Sequence, residues 1–565
     1  AASRANVRPL FEDDGTDGSG FAATAGARWH VADLPEPAAT PWDLAHARVA
    51  DQLGIAASDI VFAEPDLVHD VYVDQDPTAP RPDGPFAAAP DCSAQEQNDD
   101  GGQARGPHGQ GWHLDDEFSQ LASARAAVRF TAPRTLIAHL DTGYSSRQQV
   151  RPAHMRREWE MNFVEGDADS RSSEDPDNKR FLLDNSGHGT GTLSVLAGGP
   201  VPAWNGKVLG GAPEADVLAL RLADSVVLLR TSAFASALRY AILRGCDVVT
   251  MSMGGLPSDL WRETIDWAYE AGVCVVSAAG NNFKGLPTKH LVYPARYGRV
   301  IAVCGVMADG RPYDDLKLKG IKPVMQGNYG PDSKMGAAMA AWTPNIPWAV
   351  YGCDKTVRLN GGGTSSATPQ VAAAAALWYE KNKHVAPRDW RRVEAVRHAL
   401  FSTAAKGNDE KLGQGILKAH DALGVPYMEG LPKTKSDNDS WALLRVLTGL
   451  GIDGASARER MFNLELAQQW VVNRDLQDAV PDPEAVGPAF GDQREVLGKV
   501  MEIVIEDPRT SGALRAHLED RYRVLLGKGR PRPAGGGTAP AATAACEKLP
   551  SLTPPPRRRL RVYSG

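Results

Sequence analysis

Cysteine is scarce in this sequence: Cys92, Cys246, Cys274, Cys304, Cys353 and Cys546 are spread over 565 residues, with no C-x-x-C pair among them. Six is too few for a disulfide scaffold in a chain this long, and three of them sit inside apolar, strand-like runs that read as buried free thiols. Free thiols in a core favour a reducing compartment, so the expected location is cytoplasmic, with secretion as the alternative. An excess of positive charge is also missing. The 62 Lys and Arg stand against 69 Asp and Glu, a net charge of −7, which excludes nucleic acid as the partner. Long apolar stretches are absent as well. Runs such as Val371 to Tyr379 fall far short of the roughly 18 residues needed to cross a bilayer, so no membrane span is expected. The opening AASRANVRPLFEDDG lacks a basic segment followed by an apolar one, and no secretory signal is visible, although a removed one would leave no trace.

What is present separates by composition into five stretches, consistent with several structural units in a chain of this length. Residues 1–86 hold a small unit with the strand ARWHVADL, the helix TPWDLAHARVADQLG and the strand DIVFAEPDLVHDVYV. A Pro-, Gly- and Asp-rich connector covers 87–111 and should be flexible. From 112 to 425, short apolar runs (TLIAHL, DVLALRL, DVVTMSM, VCVVSAAG) alternate with amphipathic helical stretches. That alternation predicts a parallel sheet covered by helices. Over 437–527 the strands stop, and Val496, Val500, Ile503 and Val504 recur at helical spacing, which predicts an all-α unit. Residues 528–565 form a Pro/Ala/Gly-rich tail ending in PPPRRRLRVYSG, expected to be disordered.

Three motifs carry chemistry. Asp141 closes the apolar run TLIAHL in D-T-G, where a buried strand delivers a side chain to the carboxyl edge of a parallel sheet. A turn-forming Asp would look the same. His188 lies in NSGHGTGT, whose glycines leave room beside the ring. Ser365 lies in NGGGTSSATPQVAAAAALW, a glycine-rich turn opening an Ala-rich helix with Pro369 expected in its first turn. A helix start sets backbone N–H groups and the positive end of the dipole beside the hydroxyl, which suits a developing oxyanion.

In this chain order, D-T-G, H-G-T and G-T-S-x-A-x-P resemble the three catalytic motifs of the subtilases, the family with the order Asp, His, Ser. The resemblance implies an α/β fold with a subtilisin-like doubly wound parallel sheet, flanked here by a small α+β N-terminal domain and an all-α C-terminal domain. It implies a serine endopeptidase acting through an acyl-enzyme, with Ser365 as nucleophile, His188 as general base and acid, and Asp141 orienting His188. In VCVVSAAGNN the segment A-A-G-N resembles the family's oxyanion strand, so Asn281 and the Ser365 N–H would hold the oxyanion. DVVTMSMGG resembles the strand that pairs with extended substrate, here Ser252, Met253 and Gly254, which implies a protein or peptide substrate bound in extended form. The opposite wall, SVVLLR from Ser225 to Arg230, departs from the family's usual glycine-rich pattern. The ungapped spacing from Asn281 to Tyr293 places Val292 on the floor of the primary specificity pocket, between Met253 and Gly280, and implies a preference for apolar side chains before the scissile bond. No cofactor is expected, and metal is left open: the resemblance makes calcium possible, since it is frequent in the family, but the loop AWNGKVLGG offers no clear carboxylate cluster to hold it.

The closing run of the first unit, with Glu64, Pro65 and Asp66, resembles the last strand of subtilase propeptides, which implies an intramolecular inhibitor, a zymogen and self-cleavage between about Ala89 and His108. The helical unit is a candidate docking site for a protein partner or a stabilising appendage. Two rival enzymes fit poorly. D-T-G also marks aspartic proteases, but no second copy occurs, and an α/β-hydrolase would need G-x-S-x-G around the serine. A protease-like binding module held permanently shut by its N-terminal unit is the non-enzymatic alternative.

Overall fold

The computed structural model describes residues 6–11, 28–33, 40–47, 49–56, 60–69, 92, 111–164, 171–176, 187–226, 229–283, 285, 287–314, 325–407, 409–437, 447, 456–484, 494–527 and 559–564. The self-cleavage window Ala89 to His108, apart from Cys92, and most of the tail lie outside these residues.

Seven parallel strands form the central sheet, in the spatial order Ala338–Trp342, Ile301–Val306, Cys274–Ala278, Val248–Met251, Leu136–Asp141, Asp216–Arg221 and Met161–Asn162. The order reverses on either side of Leu136–Asp141, so the sheet is doubly wound. Both faces are covered, which is why these strands read as unbroken apolar runs rather than as alternating ones. Along Leu136–Asp141, side chains 136, 138 and 140 face the layer of helices Thr231–Leu243 and Asp259–Glu270, while Ile137 faces the helices His188–Ala197 and Gly363–Asn382. The second layer holds the run Ala372 to Ala376, and residues this small let the helix lie close against the strands.

A second sheet lies beyond the first helix layer. Its four antiparallel strands run in the order Asn6–Pro9, Arg28–Asp33, Arg559–Ser564 and Ile60–Pro65. The stretch read as a disordered tail therefore ends in an internal strand of the N-terminal unit. Its composition hid this, because the Pro/Arg-rich average masks the short R-L-R-V-Y-S alternation, and only the two open edges of distant strands select it. Two carboxylates dock this unit. Glu64 accepts from the Ser258 hydroxyl (2.9 Å) and the Asp259 and Leu260 N–H groups (both 3.2 Å), capping the helix Asp259–Glu270. Asp66 accepts from the Ser232 N–H (3.0 Å) and hydroxyl (2.7 Å) at the start of Thr231–Leu243. Each anion thus meets the positive end of a helix dipole and satisfies N–H groups that have no partner within the helix. The two-residue strand Val68–His69 then pairs antiparallel with Leu229–Arg230.

The helices Ala457–Val472, Arg474–Ala479, Arg494–Glu506 and Gly512–Leu526 confirm the helical reading of this region. Their apolar faces join one core with the N-terminal unit and the first helix layer. Trp42 donates to Gln468 (2.8 Å), His46 meets Glu465 at 2.8 Å with both side chains buried, and Gln468 donates to the Pro257 carbonyl (2.9 Å).

Cys246, Cys274 and Cys304 are free and buried, as their apolar surroundings suggested. Cys92 and Cys353 instead form a disulfide, which pins the connector to the catalytic sheet's outer loops. The expectation of a reducing compartment is corrected on this point: a cytosolic thiol pool works against such a bond, and the secreted alternative fits it better. No helix of the described residues is long and apolar enough to cross a membrane.

Candidate active site

Asp141 is the last residue of its strand and almost wholly buried. His188 is the first residue of the next helix, and its Nδ1 lies 2.7 Å from Asp141 Oδ1. Two glycines make this approach possible. A Cβ on Gly189 would meet the Gly143 carbonyl oxygen at 2.0 Å, and Gly143 itself takes φ +108°, so D-T-G and H-G-T are two halves of one close contact. Thr142 and Thr190 stitch that contact, one accepting from Gly189 N–H (3.2 Å) and the other from Ser145 N–H (2.9 Å).

The Asp141 carboxylate is fully engaged. Oδ1 also accepts from the Thr142 N–H (2.8 Å), and Oδ2 accepts from the Thr192 hydroxyl (3.0 Å). Burial pushes its pKa up, but the charge and hydrogen bond of His188, with smaller help from His139 and Thr142, outweigh burial and hold it below the ordinary value. Asp141 is therefore held as an anion against the His188 ring.

Ser365 is the third residue of the helix Gly363–Asn382, so its N–H belongs to the first turn and has no acceptor within the helix. Pro369 lies inside this helix rather than in its first turn, a correction with a consequence. Proline has no N–H to offer the carbonyl four residues back, and that carbonyl, on Ser365, accepts from the Ser252 hydroxyl at 3.0 Å. The Ser365 hydroxyl in turn donates to the Ser252 carbonyl at 3.1 Å. Among the described residues this carbonyl, and not the His188 ring, is its hydrogen-bond partner.

Asn281 follows the strand Cys274–Ala278 and stands beside the Ser365 turn. Its Oδ1 accepts from the Thr364 N–H at 2.9 Å, which fixes the amide and leaves its donor capacity on Nδ2. Glycine is required at 363, where φ is +69° and a Cβ would lie 2.8 Å from Asn281 Oδ1. The residues expected to line the primary specificity pocket also lie together. Val292 fills the space between Gly254 and Gly280, where an added Cβ would meet its methyl groups at 2.3 and 3.0 Å. Its N–H bonds the Ala279 carbonyl (3.0 Å), and Tyr293 exchanges backbone bonds with Gly255. Met253 is buried in the core facing the first helix layer, so its side chain is structural.

Two neighbours of the site were not singled out in the sequence. His139, two residues before Asp141, places Nε2 2.8 Å from Thr192 Oγ1. Burial, followed by the opposing pulls of Asp141 and His188, holds its pKa down at about 4. Trp348 stands edge-on to His188 with ring centroids 5.7 Å apart, and it occupies the space that a side chain at Gly191 would need. A histidine interrupting the run TLIAHL was the visible signal for the first; nothing local pointed to Trp348. Among the described residues no group of three or more His, Cys, Asp or Glu side chains is gathered as a metal site would require.

Comparison with known proteins places residues 133–418 in the subtilase family. The chain is 32% identical over 248 residues to subtilisin DY of Bacillus licheniformis, covering 43% of this chain and 79% of that protein. It is 27% identical over 318 residues to alkaline elastase YaB of Bacillus sp. (strain YaB), covering 55% of this chain and 69% of that one. Among solved structures, the prenylagaramide maturation protease PagA aligns over 54% of this chain and 98% of its own, at 23% identity and a TM-score of 0.41.

Proposed function

The chain belongs to the subtilase family and is a subtilisin-like serine endopeptidase, and we propose that Asp141, His188 and Ser365 are its catalytic triad. One observation carries the assignment: the Asp141–His188 pair, joined at 2.7 Å, lies at the sheet edge where Ser365 is held against Ser252. His188 takes the Ser365 proton as the hydroxyl attacks the scissile carbonyl, then returns it to the leaving amine. Asp141 holds the ring's tautomer and stabilises its positive form. Asn281 Nδ2 and the Ser365 N–H receive the oxyanion at the positive end of the helix.

The resting hydrogen bond suggests how substrate engages this machinery. An extended peptide lying along Ser252, Met253 and Gly254 offers an N–H to the Ser252 carbonyl. That displaces the Ser365 hydroxyl from its acceptor and frees it to turn to His188. Val292 and the two glycines beside it offer no charge, which supports apolar side chains before the scissile bond; a peptide-library profile dominated by Lys or Arg would overturn that preference.

The N-terminal unit acts as an intramolecular inhibitor. Glu64 and Asp66 seat it on two helices, and Val68–His69 pairs with Leu229–Arg230, the wall opposite the substrate strand. Self-cleavage between Ala89 and His108 makes the chain a zymogen. The disulfide divides that window, because a cut after Cys92 leaves the two pieces covalently joined while a cut before it does not. Its presence also supports an oxidising place of work. The helical region is a stabilising element, since its apolar faces are already buried against the rest of the chain.

Labelling with a fluorophosphonate tests the whole reading. Ser365 is expected to take the label, more readily once residues 1–110 are removed, and Ser365→Ala to take none and to stay uncut. Labelling elsewhere would remove Ser365 from its role. A Ser365 that never reacts, with or without the N-terminal residues, would favour the permanently shut binding module.

A further inference from the structure

The N-terminal sheet is incomplete without a segment from the far end of the sequence. Arg28–Asp33 and Ile60–Pro65 do not touch each other as strands; each pairs with Arg559–Ser564, which lies between them. The register is continuous on one side from Arg559↔Asp33 to Ser564↔Arg28, and on the other from Leu560↔Pro65 to Tyr563↔Phe62. Removing this strand leaves the pair Asn6–Pro9/Arg28–Asp33 with an open edge and Ile60–Pro65 with no strand neighbour among the described residues. Ile60–Pro65 carries Glu64, the residue that caps Asp259–Glu270.

We propose that the slot between Arg28–Asp33 and Ile60–Pro65 is a strand-binding site whose occupant is segment Arg559–Ser564, and that this strand holds the N-terminal unit on the protease after the connector is cut. The proposal builds on the inhibitory reading of that unit and adds a second requirement for activation. A cut connector leaves the inhibitor clasped by backbone hydrogen bonds on both edges of the distal strand, so relief of inhibition needs that strand withdrawn or removed as well.

The test uses the full chain with Ser365→Ala and Cys92→Ser, an inserted recognition site for an unrelated protease in the connector, and a tag on the N-terminal piece. After the cut, the tagged piece is expected to retain the catalytic part through extensive washing. Deleting 559–565 is expected to speed dissociation at least tenfold and Val562→Pro to act in the same direction. A labelled synthetic peptide of residues 557–565 is expected to bind the uncut deletion variant, which shows that its slot is folded, but not to restore retention, because the peptide has no covalent link to the catalytic part. Equal retention with and without the strand overturns the proposal, as does a deletion variant that does not bind the peptide or whose retention the peptide restores. Peptidase activity of the cut chain with Ser365 intact is read separately: full activity while the unit remains bound removes the inhibitory reading and leaves the strand site standing.

A second inference rests on different atoms. His139 and Asp141 are i and i+2 on one strand and face the same helix. Thr192 lies between them, 2.8 Å from His139 Nε2 and 3.0 Å from Asp141 Oδ2. The threonine hydroxyl has one proton, and it can reach the carboxylate only when His139 donates Nε2–H to the threonine oxygen. We infer that His139, through Thr192, is a positioning residue that fixes the second oxygen of Asp141 for the proposed triad. The charged groups acting on His139 are Asp141 and His188. His139→Leu and Thr192→Val are each expected to lower kcat about tenfold with little change in KM, and to move the acid limb of kcat/KM to higher pH, because a carboxylate that has lost a donor strengthens His188 as a base. The double variant is expected to match Thr192→Val alone, and His139→Gln, which keeps a donor, to recover most of the loss. An unmoved acid limb, or additive losses, overturns this inference; an Ser365→Ala variant that still turns over would overturn the triad instead.

Discussion

The two sheets of this protein are assembled by opposite rules. The parallel sheet gathers its working residues from short motifs, each supplying its own turn, glycines and side chain, and the motifs meet because βα units wind in one hand. The antiparallel sheet of the N-terminal unit is closed by a strand from the other end of the sequence and is held by carboxylates that bind elements of its neighbour. Chemistry in the first depends on a few atoms. Integrity of the second depends on many long-range pairings, none of which does chemistry.

Substitutions should separate the two. Ser365→Ala is expected to lower turnover by about 10⁴ to 10⁶ while leaving the docking of the N-terminal unit unchanged, as read by steady-state peptide hydrolysis and by co-purification of the pieces after an unrelated protease cuts a site inserted in the connector. A simultaneous loss of docking would show that the regions are not independent. On the proposed role of its amide at the oxyanion rather than at bound substrate, Asn281→Ala is expected to cost about 10² to 10³ in kcat with KM nearly constant. Glu64→Ala acts on the other side of the comparison. It strands two helix N–H groups and a hydroxyl, and at about 2 to 3 kcal/mol it should weaken binding of a separated N-terminal piece by about 30- to 150-fold, measured by calorimetry, with kcat of the unblocked enzyme unaltered.

Acid sharpens the contrast with an effect that is smaller per pH unit. His113, in the catalytic region, has neither ring nitrogen paired among the described residues, and burial, with the Arg125 charge adding to it, depresses its pKa to about 3. His290, stacked on Trp470 of the helical region, is likewise depressed to about 3, chiefly by burial. Each is neutral when folded and takes up a proton near pH 6.5 when unfolded, so the stability it contributes is complete above pH 6.5 and is lost as pH falls toward 3. Each should cost about 1.4 kcal/mol per pH unit in that window. Urea midpoints against pH in the Ser365→Ala background, with and without His113→Phe, check this, and a slope that the substitution leaves unchanged would contradict it.

The sequence made the parallel sheet and its edge legible because the constraints there are local. D-T-G and H-G-T carry the glycines that let Gly189 approach Gly143, and Asn281 sits at a fixed distance from a strand it follows. Val292 was placed by an ungapped spacing for the same reason. What escaped was long-range or concealed by composition. Cys92 and Cys353 are 261 residues apart, and nothing in either neighbourhood selects the other. Pro369 looked like a helix-starting proline because local rules favour that position; its actual place in the helix is explained by the Ser252 hydroxyl that takes up the orphaned carbonyl. The Thr192 bridge needs the helix docked on the strand before His139 and Asp141 share a neighbour.

The distal strand also sets a schedule for the nascent chain. At about 5 to 20 residues per second, ribosomes would make this strand on the order of a minute after its two flanking partners, while the entire protease is being translated in between. During that interval the lane between Arg28–Asp33 and Ile60–Pro65 stands vacant, so this unit cannot be a finished template for the emerging parallel sheet. Only molecules translated through residue 564 can seal it.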